Sequence, residues 1–125
     1  MKLNYDCIRD IMLSTEELGF QEKLNLERYK EYSNLSKYSY EEIQYNALKL
    51  HEGQYIKGIK SSASNVTVIL RIYDLTLEGH DLLNSMRSNT VFAKAKDRIS
   101  KTVGSVTLAT LKSVCLKIAN DMLFG

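Results

Sequence analysis

In the first part of the chain, apolar side chains recur every three to four positions, the spacing that lines one face of an α-helix. This spacing predicts a first helix over about residues 5–18, with Asn4 as its N-cap and Gly19 as its end. It also predicts a short second helix over about residues 26–35. The N-terminal third of the chain is therefore expected to be helical.

A capping-box pattern marks the start of the next helix. In Ser39-Tyr40-Glu41-Glu42, the Ser39 hydroxyl can accept from the amide of Glu42, and the Glu42 carboxylate can accept from the amide of Ser39. The pattern predicts a third helix over about residues 40–52. Gly53 is expected to end this helix in the left-handed conformation.

Beyond Gly53 the hydrophobic period changes from 3.6 to 2, which is typical of strands. Residues 55–60 and 66–73 are rich in β-branched and aromatic side chains, and the polar residues 61–65 separate them. The pattern predicts a β-hairpin. Strict alternation in its second strand would place Val66, Val68, Leu70 and Ile72 on one face and Thr67, Ile69, Arg71 and Tyr73 on the other.

Three further helices are expected after the hairpin. Thr76 can cap a fourth helix that ends near residue 88, and Gly79 would allow this helix to approach the sheet closely. Residues 90–102 form a basic amphipathic pattern, and Thr107 can cap a last helix. On that last helix five residues repeat at alternating spacings of three and four: Leu108, Leu111, Cys115, Ile118 and Met122.

The order of helix, helix, capped helix and hairpin is that of a winged helix-turn-helix. The expected fold is therefore α+β and mainly helical, with a winged helix-turn-helix core and two-stranded wing over residues 1–88 and a basic helical extension over residues 89–125. The stripe on the last helix has two possible uses. It can join two copies of the chain as a homodimer, or it can fold back onto the core.

Composition and charge narrow the class of protein. The chain has 125 residues, 44% apolar and 26% charged, which fits one small domain with an appendage. No apolar run approaches the roughly 20 residues that span a bilayer, and Asp6, Arg9 and Asp10 interrupt any secretory signal. We therefore expect a cytoplasmic protein without a membrane partner. The net charge is +2, and the positive excess lies in residues 89–125.

The sequence offers little for catalysis. His51 and His80 lack paired-ligand spacing, and no nucleophile elbow or phosphate-binding glycine loop occurs. Cys7 and Cys115 are not in CxxC spacing, and both fall near apolar helical stripes. We expect a protein that is not an enzyme and has no catalytic residue, metal or cofactor.

Three stretches resemble a known family: MKLNYDCIRDI, YSYEEIQYNALKLHEGQYI and DLTLEGHDLLNSMRSNTVFAKAKDRISKTVGSVTL. The family consists of small proteins of bacteria, prophages and mobile elements and is classed as a domain of unknown function. Phe92 stands where its members tend to have tryptophan, a change that keeps the aromatic bulk. The resemblance implies a winged-helix core, a helical C-terminal extension and a phage or mobile-element setting, but no activity.

Binding of double-stranded DNA is the usual role of a winged helix, with the third helix in the major groove and the wing along the backbone. The sequence therefore predicts a transcriptional regulator of a phage or mobile element. Its candidate nucleic-acid-binding residues are Lys37, Tyr40, Gln44, Tyr45, Lys49, Lys57, Lys60, Ser62 and Asn65. Gln44 would pair with adenine, and Lys49 with guanine or phosphate. Glu41, Glu42 and Glu52 count against this mode, because they give the reading helix a negative charge.

The alternative is a protein-binding effector or inhibitor of a host factor, such as one of antiviral defence, built on the same fold. Tyrosines are frequent anchors in protein interfaces, and the chain has eight. The candidates are Tyr29, Tyr32, Tyr38, Tyr40 and Tyr45. If several of them share an exposed face with Glu41 and Glu52, the partner is expected to be a protein rather than DNA.

Overall fold

Helices form most of the chain, and the strands form one small antiparallel sheet, in a computed structural model that describes residues 1–125. The elements are α1 (Tyr5–Glu16), β1 (Leu24–Asn25), a 3-10 helix (Leu26–Glu31), α2 (Tyr40–Glu52), β2 (Ile56–Ala63), β3 (Val66–Leu75), α3 (Leu77–Ser85), α4 (Asn89–Thr102) and α5 (Leu108–Phe124). The predicted α+β, mainly helical class is confirmed. No helix combines the length and apolar character needed to cross a bilayer.

The N-termini of α1 and α2 are capped as predicted and are joined to each other. The Asn4 Oδ1 atom accepts from the Cys7 amide at 3.1 Å, and the Ser39 Oγ atom accepts from the Glu42 amide at 3.1 Å. The Glu42 carboxylate accepts from Asn4 Nδ2 at 2.9 Å instead of from the Ser39 amide. The Asn4 amide also donates to Asn46 Oδ1 at 3.0 Å. Only half of the capping box forms, because Glu42 is used to hold the two helix starts together.

The helix ends differ from the predicted ones. The α1 helix ends at Glu16 rather than near residue 18. Gly53 has a φ of −79°, so its predicted left-handed conformation is wrong, and Gln54 adopts that conformation instead with a φ of 63°. The Tyr55 amide then donates to the carbonyl of Leu50 at 2.9 Å. The helix ends in a Schellman-type arrangement whose left-handed residue follows the glycine.

The predicted second helix over residues 26–35 forms only in part, as a 3-10 helix over Leu26–Glu31. Leu24 and Asn25 form strand β1, which pairs with β3, and only the 3-10 helix follows it. Asn25 explains the change: its Oδ1 atom accepts from the Glu27 amide at 3.0 Å and from Arg71 Nη1 at 3.1 Å. This side chain starts the 3-10 turn and ties it to the sheet.

The sheet has the order β1-β3-β2, and both pairs are antiparallel. The hairpin is longer than predicted, because β2 continues to Ala63 and only two residues separate it from β3. Its turn consists of Ser64 and Asn65, with φ values of 52° and 66°. Positive φ at both central residues is typical of a tight type I′ turn.

Two register shifts in β3 overturn the predicted alternation of its side chains. Ile69, Ile72 and Leu75 are all buried although they are three residues apart. The pairing with β2 is irregular at two places and leaves Leu70 and Tyr73 as the extra residues. Each bulge adds one residue to β3, so the inward-facing positions recur every three residues instead of every two.

Residues 1–80 form one compact unit in which α1 and α2 pack on the sheet. Its largest fully buried side chains include Ile8, Ile11, Met12, Leu24, Leu26, Ile43, Leu50, Ile69 and Ile72. Thr76 caps α3 as predicted, since its Oγ1 atom accepts from the Gly79 amide at 3.0 Å. The close approach predicted at Gly79 is present: a Cβ there would stand 2.0 Å from the carbonyl oxygen of Tyr55.

Residues 81–125 form the second compact unit, in which α4 and α5 pack against each other. Ser88 caps α4 by accepting from the Val91 amide at 3.2 Å, and Thr107 caps α5 as predicted. The buried residues of α4 are Val91, Phe92, Ala95 and Ile99. The division between the units falls within α3, before the boundary that the sequence predicted after residue 88.

Candidate nucleic-acid interface

The α2 helix, which the sequence predicted to read DNA, has one buried face. Its buried residues are Ile43, Gln44, Asn46, Ala47 and Leu50. Opposite the buried face lies the outer stripe of α2, namely Glu41, Tyr45, Leu48, Lys49 and Glu52. A contact of α2 with a major groove would use this stripe.

Gln44 belongs to the interior and not to the surface. Its Nε2 atom donates to the carbonyl of Ile69 at 2.8 Å, and its Oε1 atom accepts from the Ile69 amide at 2.8 Å. Only 7% of the residue is exposed. The side chain therefore replaces a strand partner for β3, and its predicted pairing with adenine is wrong.

Lys49 is exposed but its charge is balanced. Its Nζ atom lies 3.0 Å from Glu52 Oε2 and 5.6 Å from the centre of the Tyr45 ring. The hydrogen bond and charge of Glu52 raise the pKa of Lys49, so the ammonium group stays protonated at neutral pH. With Glu41 also accessible, the outer stripe of α2 carries one net negative charge.

Lys37 and Tyr40 are also engaged within the protein. Lys37 Nζ lies 3.1 Å from Asp10 Oδ2, an atom that also accepts from the Tyr38 hydroxyl at 2.6 Å. The Tyr40 hydroxyl donates to Glu27 Oε1 at 3.0 Å. Burial, and then the bond to Glu27, raise the pKa of Tyr40. Neither residue offers an uncommitted group to a nucleic acid.

The tyrosines do not gather on one exposed face. Tyr29 and Tyr38 are buried, and the Tyr32 hydroxyl accepts from the Asn25 amide at 3.0 Å. The Tyr29 and Tyr40 rings lie 6.3 Å apart, in contact with each other. Burial and the bond to Asp10 raise the pKa of Tyr38 far above its usual range. These tyrosines stabilise the fold around the 3-10 helix.

The hairpin is where predicted residues remain available. Lys57 and Lys60 are exposed on β2, and neither forms a salt bridge. Asn65 is exposed at the turn, and Ser62 Oγ lies 2.9 Å from Thr67 Oγ1 across the hairpin. The hairpin therefore presents two lysines that form no salt bridge, although Asp74 lies opposite Lys57 in the strand pairing.

A second set of cations lies on α4, where the sequence predicted a basic helix but no contact with DNA. Lys94, Arg98 and Lys101 are exposed and lie on one face of the helix. Lys101 Nζ is 3.1 Å from Asp97 Oδ2, in a pair exposed on both sides, whereas Lys94 and Arg98 form no salt bridge. We call Lys94, Arg98 and Lys101 the α4 cationic stripe. The sequence indicates this stripe through the charge count by segment, which places the positive excess in residues 89–125.

Charge is divided unequally between the units. Residues 1–80 hold ten Lys and Arg and twelve Asp and Glu, a net −2, while residues 81–125 hold seven and three, a net +4. Together they give the +2 of the whole chain. The unit that contains the predicted reading helix is thus the negative one.

The five residues predicted to join two copies are mostly used inside the chain. Leu108, Leu111, Cys115 and Ile118 are buried on α5, which packs against α4. Met122 continues their spacing but is 53% exposed. The prediction of this stripe as a dimer interface is wrong for the four buried residues, because they complete the core of their own unit.

The two cysteine thiols are buried and are not activated as nucleophiles. Cys7 is fully buried, and burial, followed by the nearby charge of Glu42, raises its pKa to about 12. Burial also raises the pKa of Cys115. No group of three or more His, Cys, Asp or Glu side chains is placed to hold a metal ion. Neither thiol is a thiolate at neutral pH.

A cleft of about 640 Å³ lies between the segment after α1 and the hairpin base. Its lining includes Glu16, Lys23, Lys57, Asp74 and His80. Two lysines therefore face two carboxylates, and the balance favours no charged ligand class. The cleft adds only Lys57 to the candidate interface.

Comparison with known proteins places the chain in a family. A Haemophilus influenzae protein named "Uncharacterized protein" is 29% identical over 124 residues, which cover 98% of this chain and 99% of that protein. No solved structure matches the chain. Residues 2–105 match the family described as "Hypothetical protein (DUF2513)", a domain of unknown function. The chain belongs to that family, as the resemblance in its three stretches indicated.

Proposed function

We propose that this protein binds double-stranded DNA by its phosphate backbone and catalyses no reaction. The observation that supports the proposal is the distribution of exposed cations. Lys57 and Lys60 on the hairpin and Lys94 and Arg98 on α4 are exposed and form no salt bridge, whereas Lys49 on α2 is paired with Glu52. Contacts to phosphate are the main source of affinity for DNA.

The proposal treats residues 1–80 as a variant winged helix-turn-helix. A capped helix followed directly by a hairpin is the core of that motif, and the addition of β1 to the hairpin supports the same assignment. The variant part is the segment between α1 and α2, where a 3-10 helix stands in place of a full α-helix. The hairpin is the wing in this interpretation.

The wing, and not α2, is proposed to make the first contact with DNA. A helix in the major groove lies between two rows of phosphates, which would repel Glu41 and Glu52 on the outer stripe of α2. The wing has no such acidic neighbour in its pairing with β3 other than Asp74, opposite Lys57. Its positive charges can therefore approach a backbone directly.

The α4 cationic stripe fits a duplex by its length. At a rise of about 1.5 Å per residue, Lys94 and Lys101 are separated by about 10 Å along the helix. Duplex DNA carries one charge per roughly 1.7 Å of its axis, so this length faces several phosphates. The exposed pair of Lys101 with Asp97 contributes little to stability, and a phosphate can replace the carboxylate.

Regulation of a phage or mobile element from the cytoplasm is the setting we propose for this binding. It is supported by the resemblance of the sequence to such proteins and by the order of elements in residues 1–80. The regulation proposed here works with only a modest preference among sequences, because phosphates are the same in every sequence. With Gln44 buried, such a preference must come from the wing or from Tyr45.

The test is a salt series with a short duplex of about 20 base pairs. Backbone binding predicts that the affinity falls with salt, with a log–log slope of about −0.9 for each phosphate neutralised. The variant Lys57→Ala/Lys60→Ala and the variant Lys94→Ala/Arg98→Ala should each make the slope shallower by about 2. All four positions are exposed, so the fold should persist in both variants.

A matched control is Lys2→Ala/Lys30→Ala, which removes two exposed lysines that belong to neither the hairpin nor α4. This variant should keep the wild-type slope. The proposal is overturned if the wild type does not bind at low salt, or if the control weakens binding as much as the two test variants do.

A protein partner is the second candidate, and the outer stripe of α2 favours it. Tyr45 lies between Glu41 and Glu52, which is an aromatic centre with acidic ends. Such a surface fits a basic partner, for example the nucleic-acid site of a host defence factor. If DNA binding fails, loss of a captured host protein in Tyr45→Ala but not in Lys57→Ala/Lys60→Ala would support this candidate.

A further inference from the structure

The α5 helix carries a second, largely apolar stripe that its own unit covers only in part. The first stripe, from Leu108 to Ile118, is buried. The second consists of Ala109, Lys112, Leu116, Ala119 and Leu123, and it is rotated by about 100° from the first. Leu116 is 50% and Leu123 is 76% exposed. Its spacings of three and four are those of a helix that packs lengthwise on another helix.

The last turn of α5 widens this surface. Met122 is 53% exposed and Phe124 is 82% exposed, on either side of Leu123. A fully exposed aromatic side chain alone presents roughly 150–250 Å². Contiguous apolar surface of several hundred Å² marks an interaction site more often than a solvated face.

We propose that two copies of this chain form a dimer in which their α5 helices pack antiparallel along the second stripe. Leu116 is the midpoint of Leu108–Phe124, so a two-fold axis at Leu116 pairs the helices over their full length. In that register Leu123 lies opposite the partner's Ala109, a large side chain against a small one. In the antiparallel arrangement, the stripe of one copy is therefore complementary to the stripe of the other copy.

The charged member of the stripe also selects the antiparallel arrangement. Lys112 lies opposite the partner's Asn120 about the same axis, and its ammonium can donate to that amide oxygen. A parallel pair would place Lys112 against the partner's Lys112, which costs free energy through repulsion. The residues that flank the stripe, Ser113 and Asn120, carry no charge that would oppose the pairing.

The area of this apolar surface determines the expected affinity of the dimer. Leu116, Met122, Leu123 and Phe124 together expose several hundred Å² on each copy. Two copies would bury on the order of 1,000 Å², at the low end of specific interfaces. The dimer should therefore form in the micromolar range and depend on concentration. This inference does not rest on DNA binding.

Sedimentation or light scattering of the full chain from about 5 to 500 μM tests the dimer. The mass should rise from 14.3 kDa toward twice that value. Leu116→Glu/Leu123→Glu should stay at the monomer mass, while Thr110→Glu, an exposed change on another face of α5, should still dimerise. Circular dichroism of each variant checks that the helices persist. A wild type that stays monomeric at 500 μM overturns the proposal.

Single cysteines test the orientation, because Cys7 and Cys115 are buried. Leu116→Cys should cross-link to its own copy under mild oxidation. Leu123→Cys should not cross-link to itself but should cross-link to Ala109→Cys when the two are mixed. Self-linking of Leu123→Cys, or linking of Thr110→Cys at the same rate as Leu116→Cys, would contradict the antiparallel dimer.

Discussion

Gly79 shows how one residue fixes the position of a helix. It lies in the first turn of α3, and a Cβ at this position would stand 2.0 Å from the carbonyl oxygen of Tyr55, just before β2. The contact joins backbone to backbone, so no side chain can rotate away to relieve it. The start of α3 can reach the sheet this closely only because the residue has no side chain.

We therefore expect Gly79→Ala to lower the free energy of unfolding by about 1–3 kcal/mol or more, since the backbone must shift to admit the methyl group. Urea denaturation followed by circular dichroism measures this loss. Gly104→Ala is the matched control. Gly104 has a φ of 84° but nothing within 4 Å of a Cβ, so only conformational strain of about 1 kcal/mol is expected there. Equal losses in the two variants would contradict the steric explanation.

At the scale of single residues, the sequence predicts the contacts that form between residues close together in the chain. Ser39, Thr76 and Thr107 cap their helices as expected, because a cap involves only the next three residues. Glu42 and Gln44 bind partners 38 and 25 residues away in the chain. Helical spacing indicates the face of the helix on which such a side chain lies. It does not identify the polar group that the side chain contacts on the neighbouring element.

At the scale of elements, the helices are more predictable than the sheet. Long apolar periods predict α1, α2, α4 and α5 to within a few residues. Strand β1 has two residues, too few to produce any period, and the bulges of β3 break the alternation on which strand prediction depends. Strand β1 and the bulges of β3 both depend on pairing between segments that are distant in the chain.

The junction of α1 and α2 should respond to alkaline pH. Cys7 is fully buried there, its Sγ atom lies 3.8 Å from the carbonyl oxygen of Glu42, and burial raises its pKa from 9.0 to about 12. Between these values the unfolded chain loses the thiol proton while the folded chain keeps it. The contribution is therefore present below pH 9 and is lost as pH rises toward 12.

At pH 10 this difference lowers the free energy of unfolding by about 1 kcal/mol relative to pH 8. Cys7→Ala removes the thiol, so its stability should fall less over the same interval. Urea titrations of both proteins at the two pH values measure the difference, and the tyrosines and lysines that titrate in both cancel out. If the two proteins lose the same stability, the thiol is not held protonated by burial.

At the scale of the whole molecule, counting charges by segment indicated more about the candidate interface than the fold motif did. The motif directed attention to α2, whose candidates proved buried or paired, as in Gln44 and Lys49. The counts placed the positive excess in the C-terminal part, where α4 exposes its cationic stripe. The net charge of a segment is the sum of its residues and is the same before and after folding. The partner of a given side chain, in contrast, depends on tertiary contacts.

This distribution leads to a prediction about specificity. Direct readout needs side chains that reach base edges, and each good bidentate pair contributes about 1–3 kcal/mol of discrimination. Gln44 is committed to Ile69 and Lys49 to Glu52, so the predicted reading helix has lost both of its base-reading groups. In the proposed function the remaining cations would contact phosphates, which are the same in every sequence.

We expect affinities for unrelated duplexes of equal length to lie within about tenfold of one another, since tenfold is the effect of a single weak base contact of about 1.4 kcal/mol. Fluorescence anisotropy with a panel of duplexes at fixed salt measures the spread. Selection from a random duplex pool checks for a rare tight site. A duplex bound about 10³-fold more tightly than the rest would show base readout, and its loss in Tyr45→Ala would assign that readout to α2.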